Sequence, residues 1–115
     1  MSTSNDIPTV DVAAAQQQVE AGAVLLDVRE PEEWHNGHAA EAVWIPMGEI
    51  EARHTELPAD ASVVVMCRSG NRSGIVTQAL VQVGYDASNI AGGMHAWAEA
   101  GFEVVTDSGG PGSVA

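Results

Sequence analysis

The chain's only cysteine, Cys67, opens the run Cys67–Arg68–Ser69–Gly70–Asn71–Arg72–Ser73, immediately after the apolar residues Val63, Val64, Val65 and Met66. A thiol attacks as its thiolate, and the thiolate is favoured where oriented N–H groups, a helix N-terminus or nearby cations lower its pKa from about 8.5. The following loop can curl so that successive N–H groups turn inward, and a helix beginning near Arg72 or Ser73 adds a positive dipole end. Two of the chain's four basic side chains, Arg68 and Arg72, fall between Cys67 and Arg72, and no acidic residue lies between Asp60 and Asp86. The pattern predicts an anion-binding cradle around a nucleophilic cysteine. A buried, inert thiol is the competing reading, and the position of Cys67 at the end of an apolar run argues against it.

The elements that must position this loop are legible as alternating strands and helices. Val24–Leu26, Ala42–Ile45 and Val63–Met66 are short apolar runs without alternation, the pattern of strands buried on both faces; a weaker strand is expected near Ala87–Ile90. Helical spacing predicts one helix from about Val10 to Glu20, capped by Thr9, with Val12, Ala15 and Val19 inward. A second, from Ser73 to about Val83, presents Ile75, Val76, Ala79, Leu80 and Val83 as one stripe, and a third runs from about Met94 to Ala100. Shorter turns are expected at Pro31–His35 and Met47–Arg53. Such alternation predicts an α/β domain with a parallel sheet covered on both faces, in which ligands bind beyond the carboxyl ends of the strands. Cys67 and the residues after Leu26 lie there.

Composition narrows the field further. The chain has 115 residues, 4 basic against 16 acidic side chains and a formal net charge of −12. That length suits one hydrophobic core, and that charge repels nucleic acids and anionic membranes. One cysteine forms no internal disulfide, no run approaches the roughly 20 apolar residues of a membrane span, and the first residues lack a basic leader. A cytoplasmic protein is expected, organised as a flexible N-terminus over 1–6, one domain over 7–105 and a flexible Gly/Ser-rich tail over 106–115.

Three blocks carry a family resemblance. The cysteine loop resembles the active-site loop of the rhodanese-like sulfurtransferases. The stretch from Asp27 to His38, continuing through Ala42 and Ile45–Pro46, resembles their upstream signature, and Gly92–Gly93–Met94–His95–Ala96–Trp97 resembles their C-terminal one. The blocks keep the family's order and spacing across about Ile7 to Val105. The resemblance implies a rhodanese-like fold with a central five-stranded parallel sheet between helices, and transfer of sulfane sulfur from thiosulfate or a similar donor to cyanide or a thiol. Cys67 would be the nucleophile and would carry the sulfur as a persulfide, while the N–H groups from Arg68 to Ser73 would hold the anion and Arg68 and Arg72 would orient the donor. The family's phosphatase relatives have five residues between cysteine and arginine where this chain has four, so phosphate chemistry is disfavoured. Ala39 and Glu41 stand where the family usually carries an aliphatic residue and a glycine.

Supporting roles follow from position. Asp27 is expected to hydrogen-bond backbone near the loop, Arg29 to pair with Glu33 four residues on, and Trp97 to line the pocket or fill the core. His35, His38 and His54 lack the companions and spacing of a metal site, and no cofactor is expected. Two further functions compete with catalysis: a persulfide carrier or partner-docking module that delivers sulfur to another protein, and a redox-sensing thiol.

Overall fold

The computed structural model describes residues 7–114, so the N-terminal segment 1–6 lies outside the described residues. Five parallel strands form the main sheet: β1 (Thr9–Val10), β2 (Val24–Asp27), β4 (Val43–Trp44), β5 (Ser62–Met66) and β6 (Asp86–Ile90), in spatial order β1-β6-β5-β2-β4. A second, antiparallel pair joins β3 (His38–Ala39) to β7 (Val104–Val105). The helices are α1 (Val12–Glu20), α2 (Pro31–Asn36), α3 (Ile50–Arg53), α4 (Asn71–Gln82) and α5 (Gly93–Glu99), with short 3-10 turns flanking α3. No helix among the described residues is long and apolar enough to cross a membrane.

Strand periodicity places the thiol. Successive side chains of a strand point to opposite faces, so Val63, Val65 and Cys67 share one face with Leu26, Val28, Val76 and Leu80, beneath α4. Val64, Met66 and Leu25 face the other way, toward Ala15 of α1 and Met94 and Trp97 of α5. The pairing Leu26↔Val65 and Asp27↔Met66 brings the ends of β2 and β5 level. The segment after β2 therefore lies beside the cysteine loop.

Several expectations are corrected. Thr9 does not cap α1; it lies in the edge strand β1, whose neighbours Pro8 and Val10 accept from Asn89 N–H and Ala91 N–H at 2.7 and 2.8 Å. Asp11 caps instead, its carboxylate accepting from Ala14 N–H at 2.8 Å and so satisfying one of the helix's otherwise unpaired donors. On α4 the inward face is centred on Ser73, Val76, Thr77 and Leu80. Ile75 and Val83 stay more than half exposed, because the stripe read from spacing was one position too wide on that side. They flank a groove of about 360 Å³ shared with Met47, Ile50 and His54.

The segment 106–114, part of the tail expected to be flexible over 106–115, makes main-chain contacts with the domain. Gly112 N–H donates to Val104 O and Ser113 N–H to Asn36 O, both at 2.9 Å, and Val114 packs against the core that holds Ala15, Met94 and Trp97. Gly37 makes this possible, since a side chain there would sit 2.5 Å from Ser113 O. Glu41 adopts an ordinary conformation, as no non-glycine residue among those described has a positive φ.

Candidate active site

The site is built on two turns that touch. Cys67 follows the last residue of β5 and is 1% exposed. Its Sγ accepts from Gly70 N–H at 3.1 Å and lies 3.3 Å from Ser73 Oγ. Gly70 precedes α4 with φ +110°, a left-handed conformation that glycine adopts without strain and that turns its N–H back toward the sulfur. Burial pushes the Cys67 thiol up, but the Ser73 hydroxyl and the N–H groups of Ser73, Gly70 and Ser69 outweigh it, and the pKa lies below the ordinary thiol value. These donors stabilise the charged form of the sulfur.

The second turn holds the loop's carbonyls away from the sulfur. Met94 N–H donates to Cys67 O at 2.8 Å and His95 N–H to Arg68 O at 3.1 Å, so the first turn of α5 takes up both acceptors. Gly93 must be glycine for this contact: at φ +52°, an added Cβ would lie 2.2 Å from Cys67 O. Asn89, on β6, completes the support. Its Oδ1 accepts from Ser73 Oγ at 2.6 Å and its Nδ2 donates to Gly70 O at 3.4 Å. The sequence reading did not single out Asn89; its one signal was a polar amide in a strand that is otherwise buried at Ala87 and Ile90.

The basic residues are arranged differently from expectation. Arg72 makes a two-pronged pair with Glu33 of α2, Nη1 to Oε1 at 2.6 Å and Nη2 to Oε2 at 2.8 Å. That bond, with Glu30 N–H and the Arg72 and Arg29 charges, overcomes burial and holds the Glu33 carboxyl down at about 2. Arg29 does not pair with the Glu33 side chain. Fully buried, it grips Asp27 with Nε and Nη2 at 2.8–3.0 Å and donates to the main-chain carbonyls of Glu33 and Gly37. Asp27 thus turns to Arg29, accepting from its main-chain N–H as well, rather than to the cysteine loop. The two residues fasten β2 to the middle and the C-terminal end of α2, and α2 in turn presents Glu33 to Arg72.

Other candidates fall outside this cluster. Trp97 is 1% exposed and packs edge-on against Phe102, in the core and not along a pocket wall. Trp34 is stacked between His38 and Trp44, at centroid distances of 3.6 and 5.2 Å. His35 Nδ1 meets Asp107 Oδ2 at 2.6 Å, joining α2 to the C-terminal segment, while His38 Nδ1 meets Trp34 O at 2.9 Å and its Nε2 lies 3.9 Å from Asp107 Oδ1. Arg68, Ser69 and Asn71 are exposed along the rim of the loop.

A buried sulfur ringed by N–H groups at a helix N-terminus is suited to hold negative charge, first as thiolate and then as an anion bonded to it. The model of the rhodanese-like domain matches residues 11–100. The chain belongs to this family. A sulfurtransferase of Allochromatium vinosum is 40% identical over 87 residues, covering 75% of this chain and 81% of that protein. The solved rhodanese-related protein of Thermoplasma volcanium superposes with a TM-score of 0.81 at 32% identity, covering 87% of this chain and 99% of that one. The thiosulfate sulfurtransferase of Pseudomonas aeruginosa superposes with a TM-score of 0.79 at 25% identity, over 95% of this chain but 22% of its own. The rhodanese domain over residues 11–100 has the α/β sheet that the alternating strands and helices imply.

Proposed function

We propose that this rhodanese domain transfers sulfane sulfur through a persulfide on Cys67. The carrying observation is the sulfur itself, held by Gly70 N–H at 3.1 Å and Ser73 Oγ at 3.3 Å at the mouth of α4. The Cys67 thiolate attacks the outer sulfur of thiosulfate or a similar donor; a new S–S bond forms, the donor's S–S bond breaks, and its electron pair leaves with sulfite or the corresponding thiolate. The persulfide anion then sits among the N–H groups from Arg68 to Ser73, which supply electrostatic stabilisation without reorganising. A cyanide or thiol acceptor, on a small molecule or another protein, attacks the outer sulfur and regenerates the thiolate, so the kinetics are ping-pong. Asp27, Arg29 and Glu33 serve as braces. The lone thiol suits a reducing, cytoplasmic setting. The name of the Pseudomonas relative supports thiosulfate as one assay donor.

Intact mass spectrometry tests the proposal. Incubation with thiosulfate or an organic persulfide should add the mass of one sulfur atom, cyanide should remove it, and Cys67→Ser should abolish the gain. A protein that takes sulfur from neither donor would refute the reading.

A further inference from the structure

Between Cys67 Sγ and Asn89 Oδ1 stands one hydroxyl, that of Ser73, 3.3 Å from the first and 2.6 Å from the second. Asn89 is in register with Val65 of β5, two residues before Cys67, so its side chain points to the same face as the thiol. Its amide is oriented from two sides. Gly70 O, 3.4 Å away, only accepts, so Nδ2 must face it. The 2.6 Å contact with Ser73 Oγ has the length of an O–H···O bond and is short for N–H···O, so Oδ1 must lie there. Asn89 therefore offers Ser73 an acceptor. Ser73 is fully buried and has a single hydroxyl proton to divide between that acceptor and the sulfur.

A hydrogen bond to a thiolate has a cost in reactivity. It stabilises charge on the sulfur, and that charge is gone once the sulfur has attacked, so the bond favours the ground state over the transition state. Across thiols, each tenfold gain in acidity costs the thiolate about threefold in reactivity. Here the lost bond has a replacement. While Sγ is the thiolate, the Ser73 proton turns to it; when Sγ becomes a neutral, divalent sulfur, the proton turns to Asn89 Oδ1, already within 2.6 Å of its oxygen. The proton stays on Oγ throughout and only its direction changes.

Resting on Cys67 as the sulfur-transfer nucleophile, we infer that Asn89 is a positioning residue: it holds the alternative acceptor for the Ser73 proton and so keeps the Cys67 thiolate reactive while that hydroxyl stabilises it. In loading, the Sγ–S bond forms, the donor's S–S bond breaks with its electron pair leaving on the donor remainder, and the hydroxyl turns from Sγ to Asn89. In unloading, the acceptor takes the outer sulfur, the electron pair returns to Sγ and the hydroxyl turns back. The charged and titratable side chains on the loop and on the helices against it are Arg68 and Arg72, Glu30 and Glu33 of α2, and His95 of α5. They are the same in every variant below and cancel from the comparisons.

Alkylation by iodoacetamide reads this without a sulfur donor: the Sγ–C bond forms, the C–I bond breaks with its electron pair going to iodide, and Sγ ends neutral. The rate against pH gives an inflection, set by the thiol's acidity, and a plateau, set by the reactivity of the thiolate. In Asn89→Ala the Ser73 proton is left to the sulfur, so the inflection should stay or move to lower pH while the plateau falls about threefold. Asn89→Asp keeps an acceptor for Ser73 and adds a negative charge; its plateau should match or exceed that of wild type, with the inflection at higher pH. In a Ser73→Ala background, Asn89→Ala should change the plateau by less than about 1.5-fold, because the hydroxyl that carries the effect is gone. A merely structural role would act differently: a loosened loop loses N–H donors, so the inflection rises and the plateau does not fall. An unchanged plateau in Asn89→Ala, a raised inflection, or the same fall without Ser73 overturns the proposal. A thermal melt checks folding, and Asn89→Val, a better strand former that also lacks the acceptor, repeats the test if the alanine variant does not fold. If the alkylation pattern holds while neither thiosulfate nor an organic persulfide loads Cys67, sulfur transfer is refuted and the role of Asn89 in thiolate reactivity is upheld.

Discussion

Replacing Ser73 with alanine isolates one of the contacts that hold the sulfur as an anion. A hydrogen bond to a charged group is worth about 1.5–3 kcal/mol. Ser73 has a single hydroxyl proton and two acceptors, Cys67 Sγ at 3.3 Å and Asn89 Oδ1 at 2.6 Å, so its share for the sulfur belongs at the low end. About 1.4 kcal/mol corresponds to a tenfold change in the thiolate-to-thiol ratio. The Gly70 N–H, at 3.1 Å, remains in place. Because hydrogen bonds to the charged form lower a thiol's pKa, removing one raises it. Ser73→Ala should therefore be alkylated by iodoacetamide about tenfold more slowly than wild type at any pH below the wild-type inflection, with the two rates converging at high pH. Intact mass against time across a pH series gives both profiles. Asn89→Ala provides the opposed control: it leaves the Ser73 proton to the sulfur, so its inflection should stay or move to lower pH. Superimposable profiles for wild type and Ser73→Ala, or a shift to lower pH in Ser73→Ala, would refute the reasoning.

Arg29→Met leaves Asp27 as an uncompensated buried charge and strips donors from Glu33 O and Gly37 O; it should cost about 3–5 kcal/mol in chemical denaturation. Gly93→Ala places a Cβ 2.2 Å from Cys67 O and demands a backbone shift, so it should lower stability by about 2–3 kcal/mol and slow sulfur loading of the protein that remains folded. Glu33, held at about 2 against an ordinary 4.5, contributes stability that is present above pH 4.5 and lost as pH falls toward 2. The stability gap between wild type and Glu33→Gln should be about 1–2 kcal/mol near neutrality, allowing for partial solvent exposure, and should close over that acidic window in melts at matched salt.

Local chemistry was more legible in the sequence than partnerships between distant residues. The turn at Gly70, the helix after it and the strand before it are local events, written in glycine, periodicity and β-branched residues. Arg72 and Glu33 are 39 positions apart, and only the level ends of β2 and β5 make them neighbours. The i to i+4 rule applied to Arg29 and Glu33 failed for a related reason: Arg29 belongs to the strand end, not to α2, and its short route is to Asp27. The same holds for Thr9, whose capping ability was real but whose backbone was claimed by pairing with β6. The C-terminal segment is poor in apolar groups, and its backbone hydrogen bonds to Val104 and Asn36 are contacts that composition does not report.

The charge of the molecule then has a structural explanation. A chain with a net charge of −12 is a poor host for a site that gathers anions through side-chain cations, since carboxylates compete for them; half-buried Arg72, paired with Glu33, is the example. Backbone N–H groups escape that competition because their orientation is set by covalent geometry and by what the carbonyls are bonded to. Here the carbonyls of Cys67 and Arg68 are taken up by Met94 and His95 N–H, which leaves the loop's donors directed at the sulfur. It follows that holding the sulfur anion should depend weakly on salt, because the dipoles are within hydrogen-bond distance, while capture of a charged donor should depend on it strongly, because that step crosses the acidic surface. Alkylation of Cys67 by neutral iodoacetamide and its loading by thiosulfate separate the two: salt should leave the first nearly unchanged and accelerate the second, and equal sensitivity of both would place the controlling charges inside the cradle instead.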